Sequence, residues 1–190
     1  MTITYNSLVL GYHGCEKEDG EKYLSGDPMP PAKNDYDWLG SGVYFWENDK
    51  KRATEWAELL KSLGKIKTPF VVGAVIDLGE CLDLTVRENV ELLRISFSDL
   101  EHRHQVAGIP LPENRSPEKR KEPDKLWRKL DCAVINNLCD KSKIKFETAR
   151  ALFVEGKPVY NGATFRELSH TQIAVRSSKN ILGVFRVSGE

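Results

Sequence analysis

Residues Asp35 to Glu47 read DYDWLGSGVYFWE, and this stretch restricts the possible fold more than any other. Gly40 and Gly42 permit positive φ and close backbone approach. The following Val43, Tyr44, Phe45 and Trp46 are β-branched or aromatic and predict a strand, with Tyr44 near its start. Alternate strand residues share a face, so Tyr44 and Trp46 point one way while Val43 and Phe45 point the other. One face can be core and the other a pocket wall. A wholly buried aromatic block also satisfies this pattern.

The chain has 190 residues, 40% of them apolar, which predicts one globular domain over residues 1–190. Its 28 basic and 28 acidic side chains cancel, so no whole-molecule field draws it to nucleic acid or an anionic membrane. Cys15, Cys81, Cys132 and Cys139 contain no close pair, which argues for packed thiols over a zinc ribbon or a disulfide framework. No apolar run approaches the roughly 20 residues that span a bilayer. The expected location is cytoplasmic, with no membrane partner.

Periodicity orders the rest. Ser7 to His13 predicts a first strand ending at His13 and Gly14, and Cys15 to Ser25 a short helix interrupted by Gly20 and closed by Gly26. DPMPPAKND then predicts an extended or mobile surface connection. Asn48 is the expected N-cap of a helix whose stripe is Ala53, Trp56, Ala57, Leu60 and Leu63, ending near Gly64. Pro69 to Leu78 predicts a buried strand. Thr85 to Glu88 has the form of a capping box, opening a helix with Val86, Val90, Leu93, Phe97 and Leu100 on one side and Gly108 as its stop. His102 and His104 diverge on that helix and are not assigned to a metal.

Pro110 to Pro123 predicts an exposed loop with a basic centre at Lys119, Arg120 and Lys121, and Asp124 caps a helix carrying Leu126, Trp127, Leu130, Val134 and Leu138. Ala149 to Val154 predicts another strand. Gln172 to Arg176 and Ile181 to Val187, separated by a short turn, predict an antiparallel pair.

Three segments in this order, Tyr12-His13-Gly14-Cys15, Gly40-Ser41-Gly42-Val43-Tyr44-Phe45 and Ser169-His170-Thr171-Gln172-Ile173-Ala174-Val175, resemble the signature of the ADP-ribosyltransferase superfamily. The likeness is to its diphtheria-toxin-like and poly(ADP-ribose)-polymerase-like branch, as a small bacterial stand-alone member. It implies an α+β domain with a split two-sheet β core and peripheral helices, and NAD as a consumed substrate without a metal. By the resemblance, His13 holds the adenosine-side ribose, Gly14 reads the nicotinamide amide through its backbone, and Tyr44 stacks on the nicotinamide ring. Trp56 stands near the family's second tyrosine, while as a stripe residue it also reads as core.

The family's glutamate position falls on Gln172, giving a His-Tyr-Gln triad. Glutamine accepts a hydrogen bond from a ribose hydroxyl through its carbonyl, but adds no negative charge and is no ordinary general base. The resemblance therefore implies transfer of a single ADP-ribose unit to a protein or nucleic-acid acceptor. NAD hydrolysis, or NAD or ADP-ribose binding without transfer, are its alternatives. Glu155 to His170 corresponds to a target-recognition loop, with Tyr160, Phe165 and Glu167 as candidate acceptor contacts. A toxin or effector role, with an antitoxin or immunity protein as partner, is the biological setting that the resemblance admits.

Overall fold

The computed structural model describes residues 7–116 and 126–188. The basic centre Lys119 to Lys121 and the expected cap Asp124 lie outside these described residues. The chain is α+β. Its strands are β1 (Leu8–Glu16), β2 (Val43–Glu47), β3 (Pro69–Asp77), β4 (Cys81–Asp83), β5 (Asn114–Arg115), β6 (Trp127–Arg128), β7 (Thr148–Phe153), β8 (His170–Val175) and β9 (Ile181–Arg186). Its helices are α1 (Lys17–Leu24), α2 (Lys50–Ser62), α3 (Arg87–Ala107) and α4 (Lys129–Lys141).

Seven strands form one hydrogen-bonded sheet in the order β4-β7-β8-β2-β1-β3-β9, and β5 and β6 form a separate ribbon. The seams of this sheet are unequal. β1 pairs with β3 along its whole length, from Leu8–Asp77 to Glu16–Pro69. With β2 it pairs only at Gly11–Glu47 and Tyr12–Trp46.

Period-two alternation divides the core. Val43, Phe45, Val72, Ala74, Ile76, Ile173 and Val175 pack on the α1 side. Tyr44, Leu39, Ile135, Ala149, Ala151 and Ala174 pack on the other, against α4, while Trp46, Ala53 and Val71 continue that face beneath α2. β3 is the buried strand its composition predicts, with Phe70, Val71, Val72, Ala74 and Ile76 each at most 3% exposed.

Several local expectations are corrected. β1 runs through His13 and Gly14 to Glu16, because β3 supplies a partner at every position. Gly20 lies inside α1, where a Cβ would strike the Phe70 ring, so the glycine admits close packing and does not interrupt the helix. Asp49 caps α2, its Oδ1 accepting from Arg52 N–H at 2.9 Å, while Asn48 adopts a φ of 52° ahead of the cap. At α3 no capping box forms, since the Thr85 hydroxyl donates to Asp83 at 2.6 Å and the cap residue is Val86. Trp56 and Leu63 lie largely outside the buried stripe of α2, which is Ala53 and Ala57. Trp127 belongs to β6, and α4 begins at Lys129.

The largest correction is at the C-terminus. β8 inserts between β2 and β7, so both its edges are occupied. After a 3-10 turn at Ser178–Asn180 the chain crosses to the far edge and pairs β9 with β3 instead of folding back on β8.

Gly14 shows how closely α2 approaches the sheet. A Cβ there would lie 2.5 Å from the Ala53 carbonyl oxygen and 3.2 Å from the Ala57 methyl. Helix backbone yields poorly, so Gly14→Ala is expected to cost about 1–3 kcal/mol by overpacking. Urea denaturation measures it, and unchanged stability would contradict the close approach.

Candidate functional site

The short β1–β2 ladder opens into a fork. Past Trp46, the β1-facing edge of β2 takes other partners. His13 Nδ1 lies 2.8 Å from the Tyr44 carbonyl, and Gly42 exchanges main-chain hydrogen bonds of 2.8 and 3.1 Å with Ala32. A carbonyl only accepts, so Nδ1 carries the proton and the neutral His13 ring keeps its lone pair on Nε2. Asn48 N–H donates to the Leu10 carbonyl, which sets the direction of alternation along β1. Tyr12 and Gly14 therefore also aim their main-chain groups at β2, and Gly14, one step beyond the last pair, aims its own into the fork.

Tyr44 braces the turn from which β2 emerges. Its hydroxyl donates to the Gly40 carbonyl at 2.7 Å and accepts from Leu39 N–H at 2.8 Å. Gly40 takes a φ of 74°, and a Cβ there would press on Asn136. Burial pushes the phenol above its ordinary range. The hydroxyl is thus committed to the fold. The ring, half-buried, packs beside Leu39, Ile135 and Ala174.

Gln172 sits opposite Trp46 on β2 and Ala151 on β7, while Tyr44 sits opposite Ala174. Gln172 and Tyr44 are therefore diagonal neighbours on one face, a separation of roughly 7–8 Å between such positions. Gln172 is half-buried, and its amide makes no hydrogen bond among the described residues. The His13 ring belongs to the other side of the sheet, 5.7 Å from the Phe45 ring and 6.4 Å from that of Tyr23. The structure thus joins His13 to Tyr44 through one hydrogen bond and puts Gln172 one strand away, with the His13 and Tyr44 rings on opposite faces.

Trp46, opposite Gln172, and His170, two strand residues before it on the same face, belong to an aromatic cluster. Trp46 is 5.9 Å from Trp56, which reaches over it from α2, and 6.4 Å from His170. His170 also neighbours Phe153 at 5.8 Å and Trp38 at 6.4 Å. Its Nδ1–H donates to the Leu168 carbonyl at 2.7 Å, while Nε2 is buried without a partner among the described residues. Trp46 Nε1 and Arg52 Nε are buried and unpartnered too. Glu155 ties this cluster together, 3.4 Å from Arg52 and 3.8 Å from His170 Nδ1.

Trp46 and His170 were within reach of sequence reasoning, since each stands two strand residues from a singled-out position and so shares its face. Arg52 and Glu155 carried no such signal, because only the fold brings together residues 103 positions apart.

Among the acceptor candidates, Tyr160 and Phe165 are 65% and 72% exposed on a loop closed by Val159 N–H to the Phe165 carbonyl and Glu167 N–H to the Lys157 carbonyl. Glu167 accepts from Lys157 N–H at 3.3 Å, so its carboxylate serves its own loop. Burial raises the thiols, Cys15 to about 12 and Cys81, Cys132 and Cys139 to about 11, which leaves them protonated at neutral pH. No group of three potential metal ligands occurs among the described residues. No helix among them is long and apolar enough to cross a membrane. A cavity of about 1010 Å³ lies between α3, α4 and the end of β7, and none of His13, Tyr44 or Gln172 lines it.

Two outcomes follow. Tyr44→Phe removes the bridge to Leu39 and Gly40 and should cost about 1–3 kcal/mol in chemical denaturation, whereas no loss would mean that the turn holds without it. Burial lowers the proton affinity of both His170 and His13 below the ordinary value of 6.5. The unfolded chain then binds more protons as pH falls through and below that value, so their contribution is retained above it and lost below it. Replacing His170 with Phe should flatten the acid limb of the stability profile; an unchanged limb would contradict this.

The uncharacterized protein MJ0359 of Methanocaldococcus jannaschii is 34% identical to this chain over 47 residues. The match spans 25% of this chain and 22% of that protein. No protein-family model matches the chain. No solved structure matches it either.

Proposed function

We propose that the protein is an NAD-dependent mono-ADP-ribosyltransferase of the diphtheria-toxin-like and polymerase-like type. The observation that carries this reading is the fork between β1 and β2, where His13 is bonded to the Tyr44 carbonyl and the Gly14 main chain faces the gap. The same seam supports a sheet organised as two halves, β4-β7-β8-β2 and β1-β3-β9.

In this reading Gly14 offers its main-chain donor and acceptor to the nicotinamide carboxamide, a group with one of each. His13 orients the adenosine-side ribose. Tyr44, with its hydroxyl fixed, contributes its ring, and Trp56 closes from α2. Gln172 accepts from a ribose hydroxyl through its amide oxygen as the C1′–N bond lengthens and positive charge develops on the sugar. The bonding pair leaves with nicotinamide, and a protein or nucleic-acid nucleophile beside the exposed loop of Tyr160 and Phe165 bonds to C1′ and gives up its proton to solvent. Gln172 adds orientation without charge, which favours a single transfer.

That missing charge also favours a second reading, an NAD- or ADP-ribose-binding domain that transfers nothing. Incubation with labelled NAD and a cellular extract separates the two. The transferase releases nicotinamide and labels a macromolecule, and Gln172→Ala lowers release by roughly tenfold to a hundredfold, while Trp56→Phe, which keeps a ring, lowers it less. Binding of NAD without any release would select the second reading. Absence of both binding and release would overturn the two together.

A further inference from the structure

β4 covers only the first part of β7. Their pairing runs from Cys81–Thr148 to Asp83–Arg150, after which Leu84 N–H donates to the Arg150 carbonyl at 2.8 Å. The chain then leaves for α3, while β7 continues to Phe153. Alternation decides which main-chain groups remain open. Arg150 aims its carbonyl at β4, and Glu155 aims its carbonyl the opposite way, to Leu168 N–H at 3.1 Å. Even-numbered residues thus face outward, so Leu152 presents its N–H and C=O on an edge with no described strand beside it, and Val154 continues that direction. Leu152 and Val154 are 58% and 55% exposed. An open edge of this kind is a template for another strand.

This edge borders the 1010 Å³ cavity, whose apolar walls include Leu93 and Phe97 of α3 and Val134 and Ile135 of α4. Arg94, Arg128 and Arg166 line it against Asp131 and Glu155. Both acids are engaged, Asp131 accepting from Asn114 at 2.8 Å and Glu155 pairing with Arg52. Among the described residues Arg94 meets only Glu91 on its own helix, its side chain 80% exposed, and such surface pairs contribute little. Among the described residues Arg166 makes no ion pair, so Arg94 and Arg166 present positive charge to a ligand at this rim.

We infer that the open edge and the cavity together form a docking groove for an extended segment of a protein partner. The segment adds as a strand beside Leu152, sends a bulky apolar side chain between α3 and α4, and carries acidic residues toward Arg94 and Arg166. Main-chain bonding supplies the affinity common to strand addition, and the pocket supplies the selectivity. The groove is distinct from the fork, and this assignment stands whether or not NAD is cleaved.

Selection of a random-sequence displayed peptide library on the full chain, followed by fluorescence titration of the enriched peptides, tests it. Enriched sequences should combine a large apolar residue in a β-forming context with Asp or Glu. Leu152→Pro removes the outward N–H while leaving the β7–β8 bonds, which odd-numbered residues make, and should weaken binding by about tenfold or more. Arg166→Glu should also weaken it. If Leu152→Pro does not fold, N-methylation of successive peptide amides replaces it, and loss of binding at one position is the expected result. No enrichment, or equal binding by the folded proline variant or by every N-methylated peptide, overturns the assignment. So does concentration-dependent dimerisation abolished by Leu152→Pro, which would give the groove to a second copy.

Discussion

The hydrogen bond from His13 to the Tyr44 carbonyl stands where the sheet stops being continuous. Up to Tyr12 and Trp46, β1 and β2 satisfy each other as neighbouring strands do. Beyond that point β1 stays with β3, and β2 needs another acceptor and donor for its exposed edge. A side chain supplies one at Tyr44, and the Ala32 segment supplies the others at Gly42. Buried main-chain groups are rarely left unpaired, so a strand edge can diverge inside a fold only where such substitutes exist. His13 is therefore structural before it is anything else, and its orientation toward any ligand follows from that bond.

Close packing holds the fork's walls in place. α2 lies directly on Gly14 because Ala53 and Ala57 give it a small face, and Tyr44 fixes the turn through Leu39 and Gly40. The region around Gln172 is organised differently. There Trp46 and His170 pack with Trp56, Trp38 and Phe153, and the Arg52–Glu155 pair joins α2 to the root of the loop that returns at His170. Three buried nitrogens without partners collect in this cluster. Unsatisfied buried groups are costly, and they concentrate here beside the proposed site.

The sequence was most legible where one residue period decided the outcome. Alternation in VYFWE separated Tyr44 and Trp46 from Val43 and Phe45, and the unbroken apolar run from Pro69 marked a central strand. It was least legible where distant partners decide. Gly20 reads as a helix breaker because the Phe70 ring it accommodates lies on β3, far from it in sequence. The last two strands looked like a hairpin because nothing local reveals that β8 already has two neighbours. Thr85 looked like half of a capping box, yet Asp83 was the nearer acceptor. Within the candidate site, the motif residues stood out by their chemistry, while Arg52 and Glu155 acquired a role only through the fold.

The central claim is that the β1–β2 fork is where NAD is held. A titration of the isotopically labelled full chain with NAD, followed through backbone amide and glutamine side-chain NMR signals, tests this without requiring turnover. The account predicts that the Gly14 and Tyr44 amides and the Gln172 side chain move together with one saturating affinity, while Phe97 and Val134 beside the large cavity stay still. Saturable shifts confined to the α3 and α4 cavity, or no shifts at all, would contradict it.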